Sequence, residues 1–228
     1  MDSECRSIVI EYLMHNCFKK TAKALLTETT RLENGAAIGN LKKKDLLDTE
    51  KQWLLLDARK NLTDAIEKGD IPLAFDLINQ HFPVLAAQDI LQPHDSPEAT
   101  KLHMILFKLK CQRFIEIIKT SSELEAIRYA QLHLKPANNP WKESQVKEVT
   151  ALIAYVDPYQ SQSKHLLTQE RRQQLAKEVN HVLLAQSQLP IQTSIEKLSR
   201  QYALVQEELE QSIINSPTIL TQREKMAI

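Results

Sequence analysis

Glycine is nearly absent from this sequence, at 3 of 228 residues, where average usage would give roughly 16. Nucleotide-binding folds depend on glycine-rich phosphate loops, and all-β folds need glycine in tight hairpins. The shortage of glycine therefore argues against both classes. It predicts an all-α protein.

The nine prolines divide the chain into helical blocks, because proline is tolerated at a helix start far better than in a helix interior. Asp70, Ser122 and Asn139-Pro140 are predicted helix starts, and Thr49 with Gln52 forms a predicted capping box. The polar stretch 29–48 is interpreted as a linker. The predicted helices are about 3–16, 19–28, 49–68, 71–82, 97–118, 122–134, 140–155, 169–186 and 191–213.

Composition excludes several classes of function. The chain has 29 basic and 29 acidic residues, which argues against a role based on bulk attraction to nucleic acid or anionic lipid. The three cysteines leave no even set and show no paired spacing, so a disulfide framework is improbable and a reducing compartment is expected. No apolar stretch is long enough to span a membrane, and the acidic, patterned N-terminus does not resemble a signal peptide.

Catalytic and metal-binding patterns are weak in this sequence. No two of the seven histidines are three or four residues apart, so scattered surface histidines are favoured over a zinc site and no metal is expected. The ligands of a RING domain cannot be assembled from these spacings. Cys17 and Cys111 are interpreted as packing residues rather than nucleophiles. The run Lys42-Lys43-Lys44 is interpreted as a solvated linker rather than an import or phosphate-contacting patch. No phosphate-binding motif is present, and no cofactor is expected.

The last predicted helix carries a seam of apolar residues at alternating steps of four and three. This spacing is typical of coiled coils, but a single helix of about three heptads can equally pack into its own domain. The seam residues are Ile191, Ile195, Leu198, Tyr202, Val205 and Leu209.

The N-terminal helical pair resembles a LisH motif, in which a very tight turn joins two short helices. Such a pair is too small to bury its own apolar face, so it needs a partner. Cys17 stands where the motif commonly has glycine, which leaves the geometry of the turn open. The residues that match the motif are Tyr12, Leu13, Phe18, Thr21, Ala22 and Leu25.

The remainder of the chain resembles a CTLH domain followed by a CRA domain. The CTLH resemblance rests on Arg59, Gly69-Asp70-Ile71 and Ala74. The CRA resemblance rests on 112–118, on 126–134 and on 152–158 with Asn180. The resemblance implies a LisH motif over 3–35, a linker over 36–48, a CTLH domain over 49–108, a CRA domain over 109–213 and a flexible tail over 214–228.

This order of domains is similar to that of scaffold subunits of the CTLH/GID E3 ubiquitin ligase, of the RanBPM type without its SPRY domain. The resemblance implies helical hairpins whose last CRA helices return to the LisH motif. It also implies a non-catalytic subunit that joins LisH-CTLH-CRA proteins, including RING-bearing ones, in proteasomal degradation. The location it implies is cytoplasm and nucleus, with no nucleic-acid or membrane partner.

The resemblance implies two contact surfaces. In the first, Ile195 and the rest of the seam would return against Tyr12, Leu13 and Leu25 and form a homo- or heterodimer. The second would join different subunits, although the same residues could simply be domain core. The first surface comprises Tyr12, Leu13, Phe18, Ala22, Leu25, Leu198, Tyr202, Val205 and Leu209; the second comprises Phe75, Ile78, Phe82, Phe114 and Ile118.

Two other functions remain open at this point. The chain could be a helical adaptor in cytoskeletal or transcriptional assemblies that has no connection with a ligase. It could also be a small helical enzyme, which would require polar side chains to converge at a pocket. Co-purifying proteins would distinguish the adaptor from the ligase subunit.

Overall fold

The computed structural model describes residues 3–34, 43–88, 97–136, 139–187 and 189–215. Within these ranges the chain forms ten α-helices and three short 3₁₀ turns, and no β-strand. The all-α prediction is confirmed. The helices are α1 (Ser3–His15), α2 (Lys19–Asn34), α3 (Lys43–Lys68), α4 (Ile71–His81), α5 (Pro83–Ala87), α6 (Pro97–Thr120), α7 (Glu123–His133), α8 (Pro140–Thr150), α9 (Gln169–Gln186) and α10 (Ser194–Asn215).

Three helix starts are confirmed, and at each a side-chain oxygen accepts a hydrogen bond from a backbone N–H of the first turn. The Asp70 carboxylate accepts from the amide of Leu73 at 3.2 Å. The Ser122 hydroxyl accepts from the amide of Glu125 at 3.3 Å. The side-chain oxygen of Asn139 accepts from two amides, at 3.0 and 3.2 Å. These caps satisfy amides that have no partner within the helix.

Gly69 ends α3 in the left-handed conformation, with φ +81°. Its amide donates to the carbonyl of Ile66 at 3.0 Å, and the amide of Asp70 donates to the carbonyl of Ala65 at 2.9 Å. This pair of bonds is the Schellman motif, which glycine favours because it has no Cβ. The predicted stop at Gly69 is confirmed.

Cys17 ends α1 with the same geometry, although it is not a glycine. Its φ is +60°, and its amide donates to the carbonyl of Met14 at 3.3 Å. The amide of Phe18 donates to the carbonyl of Leu13 at 2.8 Å, which completes a second Schellman motif. The LisH-like turn therefore keeps the conformation that glycine would favour, at the cost of backbone strain.

The predicted linker is shorter than 29–48, because two helices extend into it. α2 continues to Asn34 and α3 begins at Lys43, so Thr49 lies inside a helix. The predicted capping box at Thr49 is wrong. Neither 29–34 nor 43–48 contains glycine or proline, and extending an existing helix costs little per residue. Lys42, Gly35, Gly39 and most of the predicted tail lie outside the described residues.

The described residues form two units. One comprises α1, α2 and α10, and the other comprises α3 to α9; we call them the α1–α2–α10 unit and the α3–α9 unit. The latter holds two apolar clusters that share α6. The first packs α3, α4 and α9 around residues such as Leu62, Ile78 and Leu175. The second packs α7 and α8 around Phe114 and Leu152.

Candidate interaction surfaces

Two side chains of α1 hold the start of α10. The Glu11 carboxylate accepts from the Ser194 hydroxyl at 2.6 Å and from the Ser194 amide at 3.3 Å. One turn further along α1, the His15 Nε2–H donates to the carbonyl of Ile191 at 2.9 Å. A carboxylate is favoured at a helix N-terminus because the N–H groups there are partly positive. The predicted return of the last helix to the LisH-like pair is confirmed at this point.

A capping box reinforces the start of α10. The Thr193 hydroxyl accepts from the amide of Glu196 at 3.2 Å, and the Glu196 carboxylate accepts from the amide of Thr193 at 2.9 Å. The backbone N–H of Thr193 holds the pKa of Glu196 below its ordinary value. Thr193 is completely buried. The orientation of α10 is therefore set within its first turn.

Beyond its first turn, α10 exposes its apolar seam. The side chains of Leu198, Tyr202, Val205 and Leu209 are 54%, 72%, 58% and 58% exposed. Isolated exposed apolar residues are ordinary, but a continuous stripe at coiled-coil spacing marks an interaction surface. We call these four residues the α10 stripe.

The α1–α2 pair is only partly covered within its unit. Ala22 is fully buried, whereas Phe18 at the tight turn is 47% exposed. Tyr12, Leu13 and Leu25 are half-buried. Because adjacent residues of a helix point in different directions, Tyr12 and Leu13 spread apolar surface beyond a single face of α1. Within a single chain, this helix keeps apolar surface for a further contact.

These exposures show how much of the seam packs within a single chain. The resemblance implies that the seam returns against Tyr12, Leu13 and Leu25 in a dimer interface. Only Ile195, near the start of α10, is half-buried, while the α10 stripe is exposed. The polar bonds of Glu11 and His15 direct α10 onto α1 at its first turn alone. Coiled-coil spacing does not specify which partner covers a seam.

In the α3–α9 unit, an ion pair joins α6 to α9. The Arg172 Nε–H donates to Glu116 Oε1 at 2.8 Å, and its Nη2–H donates to Glu116 Oε2 at 2.5 Å. The Gln112 amide nitrogen donates to the same carboxylate at 2.7 Å, and Lys119 lies 3.7 Å away. A Cβ placed on Gly69 would lie 2.7 Å from Arg172 Nη2 and 3.0 Å from Glu116 Cδ. The α3–α4 turn therefore needs glycine for space as well as for its backbone conformation.

The opposing effects on the Glu116 carboxyl can be separated. Burial by itself would raise the pKa of Glu116, but the hydrogen bonds from Arg172 and Gln112 and the charge of Lys119 outweigh it, so the net pKa is lowered. The Glu116 hydrogen bond raises the pKa of Arg172 above its ordinary value. Burial lowers the pKa of Lys119. The carboxylate and the guanidinium therefore both remain charged in the folded protein.

Comparison with protein families identifies the family to which this helical chain belongs. Residues 55–210 match the family model described as "CTLH/CRA C-terminal to LisH motif domain". That span covers more than half of the chain, from α3 to α10. The chain belongs to the CTLH/CRA family. The LisH-like pair, α1 and α2, precedes the matched region in this family member.

Individual relatives of this CTLH/CRA protein are similar along most of its length. A Ran-binding protein M homolog from Arabidopsis thaliana is 25% identical over 85% of this chain, which spans 40% of that relative. A glucose-induced degradation protein 8 homolog from Nematostella vectensis is 24% identical over 94% of this chain and 84% of the relative. The homolog of that name from Dictyostelium discoideum is 24% identical over 77% and 83%.

The CTLH/CRA fold brings together two polar residues from separate parts of the sequence. Arg59 on α3 is 4% exposed, and its Nη1–H donates to Asn180 Oδ1 on α9 at 3.2 Å. Both residues contributed to the resemblance in sequence. Their contact joins the two helices beside the first apolar cluster, where a buried guanidinium needs such partners.

The residues expected at the heteromeric surface of the CTLH/CRA protein are not equally accessible. Ile78, Phe82 and Phe114 are 1%, 6% and 0% exposed, so they form domain core, the alternative that the sequence left open. Phe75 and Ile118 are half-buried beside the two clusters. Of the predicted heteromeric surface, these two residues keep exposed area.

Two of the three thiols in the CTLH/CRA protein are packed in its interior. Cys17 and Cys111 are buried, whereas Cys5 is exposed. Burial raises the pKa of the Cys111 thiol to about 12, despite the opposing charge of Arg171. Among the described residues, no group of three or more His, Cys, Asp or Glu could hold a metal ion. None of the described helices combines the length and apolar character that crossing a membrane requires.

Sequence reasoning missed three residues with structural roles. Glu11 and His15 are spaced i, i+4, a spacing that places them on one face of α1. That signal was available, but nothing in the sequence indicated α10 as their target. Arg172 gave no local signal, because its partner Glu116 lies 56 residues away in sequence.

Proposed function

We propose that this chain is a non-catalytic scaffold subunit of a CTLH/GID-type E3 ubiquitin ligase, which oligomerises and joins other subunits in regulated protein degradation. The proposal draws on family membership and on the relatives named for glucose-induced degradation. RING-bearing LisH-CTLH-CRA proteins are the partners it names, and cytoplasm and nucleus are the locations.

The proposed oligomerisation rests on one observation, the exposed α10 stripe. The four side chains follow one another by three or four residues along one face of a helix whose start is fixed to α1. Covering such a stripe against a second α1–α2–α10 unit removes apolar surface from water. This burial stabilises the oligomer by about 25 cal/mol of free energy per Å² of apolar surface. Phe18 and the half-exposed α1 face supply further apolar area to the same contact.

A charge within the stripe tests self-association. Val205→Asp leaves the folded chain intact, because Val205 is 58% exposed, but it places an unpaired carboxylate in the proposed interface. Gln211→Asp is the matched control, since it adds the same charge on the opposite face of α10. Size-exclusion chromatography with light scattering is expected to show a dimer or larger species for the original chain and the control. The Val205→Asp chain should dissociate.

Leu13, on the α1 side of the proposed interface, offers a second test. Leu13→Arg would introduce an unpaired cation, costing several kcal/mol as an order of magnitude. Circular dichroism separates misfolding from dissociation, because a folded monomer retains its helical spectrum. Monomeric behaviour of the unchanged protein, or an oligomer that survives both substitutions, would reject self-association through this unit.

Ligase membership requires an experiment of its own. Affinity purification of the full chain with cross-linking mass spectrometry should recover RING-bearing relatives, with cross-links to the α3–α9 unit. Phe75→Ala should weaken that recovery and lower the melting temperature less than the core substitution Phe82→Ala does, because Phe75 is only half-buried. Recovery of cytoskeletal or transcriptional proteins without any RING-bearing relative would instead support the adaptor function.

A further inference from the structure

Most of α10 is left uncovered by its own chain. Every residue from 196 to 212 is exposed, on all sides of the helix. At 1.5 Å per residue this stretch is about 25 Å long. A single helix of this length is only marginally stable in water, because tertiary packing supplies most of the stability of helices in proteins. A partner helix along the α10 stripe would supply that packing.

The order of side chains in the α10 stripe favours an antiparallel second copy of the same helix. If Tyr202 lies opposite Val205 of the second copy, the pair is centred between residues 203 and 204. In this register Leu198 lies opposite Leu209 of the second copy. Every layer then contains side chains that fill it to a similar extent, because the large tyrosine faces the smaller valine. A parallel pair would instead place two tyrosines in one layer and two valines in the next.

The charges of α10 are divided between its two halves. Lys197 and Arg200 lie in the first half, where Glu196 offsets one of them. All charged residues from 201 to 215 are carboxylates: Glu207, Glu208 and Glu210. A parallel pair would bring the carboxylates of both copies together at the partly negative helix C-termini. An antiparallel pair places them beside the first half of the second copy's α10, which carries the cations.

Two of these charges lie on the same flank of the α10 stripe. At 3.6 residues per turn, Lys197 and Glu208 both lie about 100° from the centre of the stripe, in the same direction around the helix. Equivalent flanks of two antiparallel helices face each other, so Lys197 of each copy lies close to Glu208 of the other. In a parallel pair this flank would face Ser199 and Gln206, which are uncharged. Within the described residues, neither Lys197 nor Glu208 forms an ion pair.

We propose that α10 pairs with α10 of a second copy in antiparallel orientation, with Tyr202 opposite Val205 and Lys197 beside Glu208. The proposal rests on the proposed self-association and adds its orientation, its register and its charged contacts. It separates the two α10 N-termini by about 28 Å along the helix axis. Because Glu11 holds the start of α10 on α1, the half-buried α1 of each copy lies beside the C-terminal half of the other copy's α10.

A distance measurement tests the orientation on the full chain. Cys5→Ser removes the exposed thiol, while Cys17 and Cys111 are buried. Ser212→Cys then adds an exposed site for a nitroxide label near the end of α10. Antiparallel pairing in the stated register separates the two labelled positions by about 25 Å along the helix axis. Parallel pairing leaves them only about 8–10 Å apart, the distance between packed helices. Pulsed electron paramagnetic resonance distinguishes the two arrangements.

Charge reversal tests the contact between Lys197 and Glu208. Lys197→Glu and Glu208→Lys should each weaken the dimer about tenfold, because a symmetric pair contains this contact twice and each reversal replaces attraction by repulsion. Both substitutions in one chain should restore the original dissociation constant. Glu207→Lys is the matched control, since residue 207 faces away from the stripe, and its effect should stay below about twofold. Sedimentation equilibrium measures each dissociation constant, and added salt should reduce the losses.

Light scattering of the original chain separates the orientation from self-association itself. A dimer that shows the long distance and is rescued by the double substitution supports the proposal. A dimer that shows the short distance, or in which Glu207→Lys weakens association as much as Glu208→Lys, overturns the orientation and leaves the proposed self-association intact. A chain that stays monomeric overturns both.

Discussion

Glu116 and Arg172 are joined by two parallel hydrogen bonds, of 2.8 and 2.5 Å, directly beside the backbone of Gly69. The pair connects α6 to α9, and Gly69 is the residue at which α3 turns into α4. Planar guanidinium and carboxylate groups bind in this two-point geometry with a defined orientation. Three segments that are distant in sequence are thus held together at one point of the α3–α9 unit.

Gly69→Ala should destabilise the protein by about 2 to 4 kcal/mol, measured by urea denaturation. About 1 kcal/mol of this arises from placing alanine at a φ of +81°. The remainder arises because the new Cβ would lie 2.7 Å from Arg172 Nη2, which disturbs charged hydrogen bonds. In an Arg172→Ala background the penalty should fall toward the backbone contribution, although the new Cβ would still lie 3.0 Å from Glu116 Cδ. Equal penalties in the two backgrounds would contradict the steric account.

Glu116→Gln should flatten the acid side of the stability profile. The folded-state pKa of Glu116 lies below the ordinary value of 4.5, so its ionised form stabilises the fold above that pH. This contribution is lost as the pH falls below 4.5 through the folded-state pKa. The original chain should therefore lose more stability than the variant in this window. Denaturation curves at several acidic pH values provide the comparison.

Other carboxylates also make the stability of both proteins depend on pH in that experiment. The pKa values of Glu170, Glu178 and Glu196 are also lowered, so both proteins will lose stability in acid. Only the difference between the two proteins reports on Glu116. Parallel profiles for the two proteins would show that Glu116 contributes no acid-dependent stability.

Cys17→Gly should be more stable than Cys17→Ala by about 1 kcal/mol. Both variants remove the thiol, and they differ in the strain of a side chain at φ +60°. Thermal or urea unfolding of the pair isolates the backbone contribution at the α1–α2 turn. If the alanine variant were equally stable, the turn would have to adopt another conformation in solution.

Cys5 should be the thiol that reacts first with Ellman's reagent at about pH 8. Cys111 has a pKa of about 12 and is buried, so only about one thiol in ten thousand would be ionised. Cys17 is also buried. A Cys5→Ser variant should react slowly until denaturant is added. Rapid reaction of that folded variant would show that a buried thiol is accessible.

Local signals explain why much of the helical architecture could be predicted. Asp70, Ser122 and Asn139 start helices through bonds to amides at most three residues away. The stop at Gly69 likewise depends on its own φ and on the preceding turn. The error at Thr49 has a related cause, because a capping pattern inside a longer helix has no effect on where that helix begins. The domain boundaries within 49–213 stay predictions.

Sequence alone determined that this chain is helical, that α3 stops at Gly69, and that α10 has an apolar seam, since each of these follows from contacts within a few residues. Tertiary structure alone decided which apolar faces are covered. Phe82 and Phe114 became core while Tyr202 and Val205 remained exposed, although the spacing in sequence is equally periodic in both cases. Periodicity identifies the face of a helix that avoids water, but the element that covers it is brought there by distant parts of the chain, such as Glu11 for α10.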